Sequence, residues 1–252
     1  MMQDPMTDEY AAQTAYALRA GRRVDWPYPH VLVEGILPDP LFRSLRDAEI
    51  EPAVLDEHAH SNDATAAEAK RYSLSHEARD LAEGRVTVPE VASVYRVLEH
   101  PMVKHALVTR FAAELAKHLG APRLAMSSTL TYIEDASGYE LLPHTDIASK
   151  AITLLIYLAD DRAAPELGTE IYVPRHAGTV LPDQPKGSRY RREDSLSVTT
   201  VPYRGNQGLA FAPASNTFHG VAPVTEGHKT RRLLQYQLLT NAERVVPAKG
   251  GA

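Results

Sequence analysis

From Pro122 onward the chain is written in short β-type runs. Residues 127–133, 140–146, 151–158, 169–173, 197–202, 208–211, 217–221 and 230–239 are set off from one another by Gly, Pro, Asp or Asn. About eight such runs with no long helix between them argue against a parallel α/β sheet, whose strands are joined by helical crossovers. They predict a β-sandwich or barrel.

The first half has a different texture. Val94, Leu98, Met102, His105, Val108, Ala112, Leu115 and Leu119 recur at three- and four-residue steps, which is helical spacing. Pro101 should split that stretch into two helices, and Gly120 should stop the second. A short helix is predicted over 7–19, with Thr7 as its N-cap. Residues 30–37 are β-rich and end at Pro38-Asp39-Pro40, where Asp39 caps a helical stretch through Phe42, Leu45 and Ile50. Residues 51–84 have weak periodicity and read as loop with short helical pieces. The expectation is one domain over 1–252, a mostly helical part (1–122) packed on a β core (123–240).

Composition narrows the chemistry. With 27 Lys and Arg against 32 Asp and Glu, the net charge of −5 argues against sequence-independent nucleic-acid binding, which needs a basic face. The absence of cysteine excludes disulfides, thiolate-bound zinc, iron–sulfur clusters and cysteine nucleophiles. No apolar run is long enough to span a membrane, and a cytoplasmic protein is the expectation. Oligomeric state is not legible.

The informative segment is Leu141-Leu142-Pro143-His144-Thr145-Asp146. In a strand, residues two apart face the same way, so the His144 imidazole and Asp146 carboxylate converge. A His-x-Asp triplet alone is common by chance. A third ligand must come from elsewhere, and His219 in Asn216-Thr217-Phe218-His219-Gly220-Val221 is the best candidate. Two His and one carboxylate form the facial triad of non-haem Fe(II), with open coordination positions. Behind His219 the chain turns near Glu226-Gly227 and returns with Lys229, Arg231 and Arg232. With a two-residue turn, Arg231 lies roughly 10 Å from the His219 backbone, a span that suits a short dicarboxylate held by metal at one end and guanidinium at the other.

The order His144-x-Asp146, His219, Arg231 on a run of short strands resembles the Fe(II)/2-oxoglutarate-dependent dioxygenases, in particular their prolyl-hydroxylase-like and small-molecule hydroxylase members. The resemblance covers roughly residues 129–239 and implies a double-stranded β-helix (a jelly roll) with N-terminal helices packed on one sheet. It implies His144, Asp146 and His219 as iron ligands and catalytic residues, and a basic residue after the last ligand as anchor of the 2-oxoglutarate distal carboxylate. Arg231 ranks first, then Arg232, then Lys229, because one residue of turn length flips which side faces inward. Tyr132 and Tyr157 resemble tyrosines placed near the cosubstrate; each reads equally well as a core tyrosine. Thr169 stands where the family often has the second glycine of a Gly-Gly strand start.

The implied reaction consumes O₂ and 2-oxoglutarate, releases succinate and CO₂, and hydroxylates an unactivated C–H bond. Asp146 argues against halogenation, since halogenating relatives lack that carboxylate. The substrate is expected to be a small biosynthetic molecule such as an amino acid, sugar or carrier-linked intermediate. The long connection 174–199 carries Arg189, Arg191 and Arg192 and reads either as a lid whose cations recognise an anionic group or as a solvated polar loop. Lys150 is a further candidate at the pocket rim. The alternatives are a peptidyl (prolyl-type) hydroxylase and, from another class, a non-catalytic jelly-roll binding module.

Overall fold

The computed structural model describes residues 5–59, 70–119, 126–160, 165–176, 188–224 and 230–240. In chain order it contains α1 (Pro5–Ala20), β1 (Arg22–Val24), β2 (His30–Glu34), α2 (Asp39–Arg46), β3 (Asp56–Ala59), β4 (Lys70–Glu77) and α3 (Ala78–Ala82). Then come α4 (Pro89–Glu99), α5 (Pro101–Arg110), α6 (Ala112–Leu119), β5 (Met126–Ala136), β6 (Leu141–Thr145), β7 (Lys150–Tyr157) and β8 (Thr169–Pro174). The chain closes with β9 (Ser188–Arg189), β10 (Ser195–Val201), β11 (Gln207–Phe211), β12 (His219–Val221) and β13 (Thr230–Thr240).

The strands form two antiparallel sheets. The larger runs β1-β2-β11-β7-β13-β5-β4-β3 and the smaller β10-β8-β12-β6-β9. Side chains alternate across the large sheet because successive residues of a strand point to opposite faces. Leu130, Tyr132, Leu154, Ile156, Leu234 and Tyr236 point outward and are buried in a cluster with α1, α2, α4 and α5. Ile133, Leu155, Tyr157, Leu209, Phe211 and Leu233 point inward and share a second cluster with Ile171 and Val201 of the small sheet. This is a jelly roll with helices on one sheet, as the resemblance implies.

Pro101 does what its chemistry demands. Its ring cannot sit inside a helix, so it becomes the first residue of α5, and His100 caps that helix by accepting the Met102 amide at Nδ1, 3.2 Å away. A second break at Phe111 separates α5 from α6. Gly120 lies outside the described residues. Thr7 falls inside α1, which starts at Pro5, and Ile50 lies beyond α2.

Besides the short β1 and β9, which the sequence did not mark, the largest departure is in 51–84, read from sequence as loop and helical pieces. It supplies β3 and β4, and β4 pairs with β5 along its length. Its inward residues are Arg71, Ser73, Ser75 and Glu77, so the face that would show an apolar period is polar. Among the described residues no helix is long and apolar enough to cross a membrane.

Candidate metal centre and anion pocket

His144 on β6 and His219 on β12 are direct partners across an antiparallel pair. Directly opposed residues project to one face, which sets the two ring centroids 4.2 Å apart. β6 ends at Thr145 and delivers Asp146 beside them. One potential ligand atom from each of His144, Asp146 and His219 lies within 4.8 Å of the others, and among the described residues no other group of three His or carboxylates does this.

The surrounding bonds prepare all three for a cation. His144 Nδ1 is 3.0 Å from the Leu142 carbonyl and His219 Nδ1 is 3.0 Å from the Thr217 carbonyl. A carbonyl oxygen can only accept, so each Nδ1 carries the hydrogen and each Nε2 keeps its lone pair for a metal. Burial pushes the His144 pKa down to about 3 and likewise lowers that of His219, so both imidazoles stay neutral. Burial opposes ionisation of Asp146, but the adjacent Lys150 ammonium leads the opposing causes and the carboxyl is held well below its usual range. Lys150 Nζ donates to one Asp146 oxygen at 2.6 Å and Thr153 Oγ1 to the other at 2.9 Å. Two neutral nitrogens and one carboxylate on one face are the donor set of a non-haem Fe(II) site, and these residues fit it.

The inward end of β13 builds the second half of the site. Arg231 is 1% exposed. Its Nη1 donates to Asp135 Oδ2 at 2.8 Å and its Nε to the Leu167 carbonyl at 2.5 Å. Its Nη2 is buried without a hydrogen-bond partner. The guanidinium carbon sits 5.7 Å from the ring centres of both Tyr157 and Tyr203. Tyr157 donates its hydroxyl to Thr169 Oγ1 at 2.7 Å. From β4, Arg71 grips the same Asp135 with two bonds of 2.6 and 3.2 Å and stacks over Tyr139 at 4.3 Å. Two guanidinium groups thus share one carboxylate. The excess positive charge and the unpartnered Nη2 both fit the carboxylate of an anionic ligand.

The remaining sequence candidates are distributed as follows. Arg232 alternates with Arg231 and shares the helix-facing side with Leu234 and Tyr236. Tyr132 is on that same side, its hydroxyl 2.5 Å from Glu134 Oε1, so neither faces the metal cluster. Lys229 lies outside the described residues. Lys150 is a direct partner of Asp146. Arg192 is tied to Glu140 at 3.1 Å, Glu170 at 2.9 Å, the Tyr172 hydroxyl at 2.5 Å and the Val221 carbonyl at 2.6 Å, which braces the small sheet. Arg191 is exposed and paired with Glu193 at 2.9 Å. Arg189, on β9, is the register partner of His144. Sequence reasoning missed Arg71, Asp135, Thr153 and Tyr203. Only Thr153, a polar residue inside the apolar run 151–158, left a signal there.

Comparison with solved structures agrees with this architecture. The chain matches a prolyl-4-hydroxylase of Pseudomonas putida at 14% identity, over 93% of this chain and 100% of that one, with a TM-score of 0.50. It matches the non-haem α-ketoglutarate-dependent epimerase SnoN of nogalamycin biosynthesis at 16% identity, over 99% and 93%, with a TM-score of 0.49. HygX of Streptomyces hygroscopicus, solved with nickel, 2-oxoglutarate and hygromycin B, matches at 16% identity over 84% and 83%, with a TM-score of 0.44. No protein-family profile and no curated protein matches the sequence. The match to the prolyl-4-hydroxylase shows the fold, the double-stranded β-helix of the Fe(II)/2-oxoglutarate oxygenases. On it, His144 and His219 stand on adjoining strands of the small sheet and Asp146 directly follows the first of them.

Proposed function

We propose that this protein is an Fe(II)- and 2-oxoglutarate-dependent oxygenase that hydroxylates an unactivated C–H bond of a small biosynthetic molecule. The observation that carries the reading is the buried, unpartnered Nη2 of Arg231, set in the same inter-sheet interior as the His144, Asp146 and His219 cluster. His144, Asp146 and His219 would hold the iron. Arg231 would take the distal carboxylate of 2-oxoglutarate, held in place by Asp135 and the Leu167 carbonyl. Tyr157 and Tyr203 wall the guanidinium off from water and keep its charge effective. Iron and cosubstrate, once bound, supply the oxidation chemistry, with succinate and CO₂ as coproducts. The chain's part is to fix geometry, neutralise the dicarboxylate and keep the interior dry.

The test is anaerobic titration with Fe(II) and 2-oxoglutarate, read by the visible charge-transfer band of the chelate. Wild type should develop the band, His219→Ala should lose it, and Arg231→Gln should need far more 2-oxoglutarate to reach it. Metal binding without a band in wild type would leave a metal site and remove the cosubstrate assignment. A wild type that binds neither would make this a binding module.

A further inference from the structure

The inner face of the large sheet next to the metal cluster is polar and partly open, and the oxygenase reading gives it no task. Strand register lines its residues up in rungs. One rung is Ser75 on β4, Thr131 on β5, Gln235 on β13 and the buried Leu155 on β7; the next is Glu77 on β4, Thr129 on β5, Gln237 on β13 and Thr153 on β7. Ser75 is exposed, and Thr129, Thr131 and Gln235 are half-buried, whereas Ile133, Asp135, Leu233 and Arg231 further along the same strands are closed over. The cleft therefore opens on this side.

Its bonds are few. Ser75 and Thr131 share a hydroxyl–hydroxyl bond of 2.8 Å. Gln237, 7% exposed, receives only a long 3.5 Å bond from Thr129 at Oε1, while its Nε2 is buried with no partner. Turning the amide over moves the orphan from nitrogen to oxygen without removing it, so one end stays unsatisfied in either orientation. The strand neighbour of Gln237 is Thr153, whose hydroxyl bonds Asp146. Adjacent strands lie about 4.8 Å apart. A molecule bonded to Gln237 thus sits beside the ligand cluster. Of the charges at this floor, Lys150 is paired with Asp146, and Glu77, at the open end of the Thr129 rung, makes an exposed pair with Arg79 and adds negative charge.

We infer that the Ser75–Thr131–Gln235 and Thr129–Gln237 rungs are the substrate-binding floor and take a neutral, hydroxyl-rich group such as a glycosyl or cyclitol ring, presenting its C–H bonds to the metal cluster. Amides and hydroxyls both donate and accept, which matches a polyol and gives a phosphate or carboxylate no countercharge. This deepens the oxygenase reading and rests on it only for the role of the metal.

The probes are methyl β-glucoside and myo-inositol, with glucose 6-phosphate as the anionic comparison, added to Mn(II)-loaded protein with 2-oxoglutarate. Paramagnetic broadening of probe protons reports binding near the cluster without turnover. Both neutral probes should broaden in wild type and bind about fivefold to tenfold more weakly to Gln237→Met and to Thr131→Val. Gln237→Met should melt no lower than wild type, because it removes an unpaired buried amide rather than a supporting bond. Neutral probes that fail to broaden, broadening that survives both substitutions, or a preference for glucose 6-phosphate abolished by Arg189→Gln would each overturn the inference. If wild type retains no Mn(II), or His219→Ala retains it equally, the oxygenase reading fails instead. Saturation transfer to the same probes in metal-free protein then decides the floor by the same Gln237 dependence.

Discussion

Asp135 is fully buried and holds two arginines, Arg71 at 2.6 Å and Arg231 at 2.8 Å. Removing the carboxylate would leave both cations without their common partner in a low-dielectric interior, and breaking a buried pair in this way costs about 3–5 kcal/mol. Asp135→Leu should therefore lower unfolding free energy by that order in denaturant titration. Arg71 should account for the smaller share, since its side chain keeps 18% exposure. Arg231→Lys makes a finer test. It keeps the charge and loses the fork that reaches Asp135, Leu167 and a ligand together, so 2-oxoglutarate affinity should fall while Fe(II) affinity holds. Equal loss of both would place Arg231 outside the anion pocket. The sequence ranks Arg231 ahead of Arg232 only on an assumed two-residue turn, because turn length decides which of them faces inward. The pairing of Arg231 with Asp135 in the β13–β5 register decides it. His144 and Asp146, by contrast, were marked by their two-residue strand spacing, and His219 by its place ahead of the basic return strand, although neither motif is specific by itself.

Strand β8 shows how an element with no ligand of its own shapes the pocket. A Cβ on Gly168 would stand 1.7 Å from the Val201 carbonyl oxygen and 3.0 Å from the Tyr203 amide nitrogen, both rigid backbone. The glycine lets the start of β8 press against β10 and aims the preceding Leu167 carbonyl at Arg231 Nε. Gly168→Ala must push the strands apart, so it should lower stability and weaken 2-oxoglutarate binding together, with Fe(II) binding spared. The Arg192 brace makes a second prediction at this scale. Arg192→Ala removes charge-assisted bonds to β8 and to Glu140 and should cost about 2 kcal/mol, whereas Arg191→Ala, an exposed pair, should stay within about 0.5 kcal/mol. The same melting temperature for both would contradict the brace. The eight strand runs after Pro122 were readable because turn residues punctuate them and β-branched and aromatic side chains fill them. β4 was not, because its inward face carries Arg71, Ser73, Ser75 and Glu77 in place of an apolar row. Its strand character comes from pairing with β5, a long-range fact invisible in a local window.

At the scale of the molecule, the large sheet separates a helix-backed apolar core from an interior that has to carry polar groups, and burying them links stability to pH. His30 is 2% exposed on the interior side of β2. Its Nδ1 lies 2.8 Å from the Tyr28 carbonyl, and burial lowers its pKa below the ordinary value near 6.5 despite that bond. Burial lowers the pKa of His76 in the same direction. Both imidazoles therefore bind fewer protons in the folded chain than in the unfolded one across the range between the two pKa values. Stability rises with pH wherever the unfolded state binds more protons, so their contribution is complete above about pH 7.5 and is lost as pH falls through about 6.5. It levels off only below the folded-state pKa. Each histidine adds a slope of at most about 1.4 kcal/mol per pH unit. Urea titrations of metal-free protein from about pH 8 to about pH 5 should show this decline. His30→Phe should flatten it by nearly one histidine's share, whatever the substitution does to absolute stability. A slope unchanged by His30→Phe would mean that His30 takes up its proton while the protein is still folded. The interior would then admit a charge next to Tyr28, contrary to the dry environment the site requires.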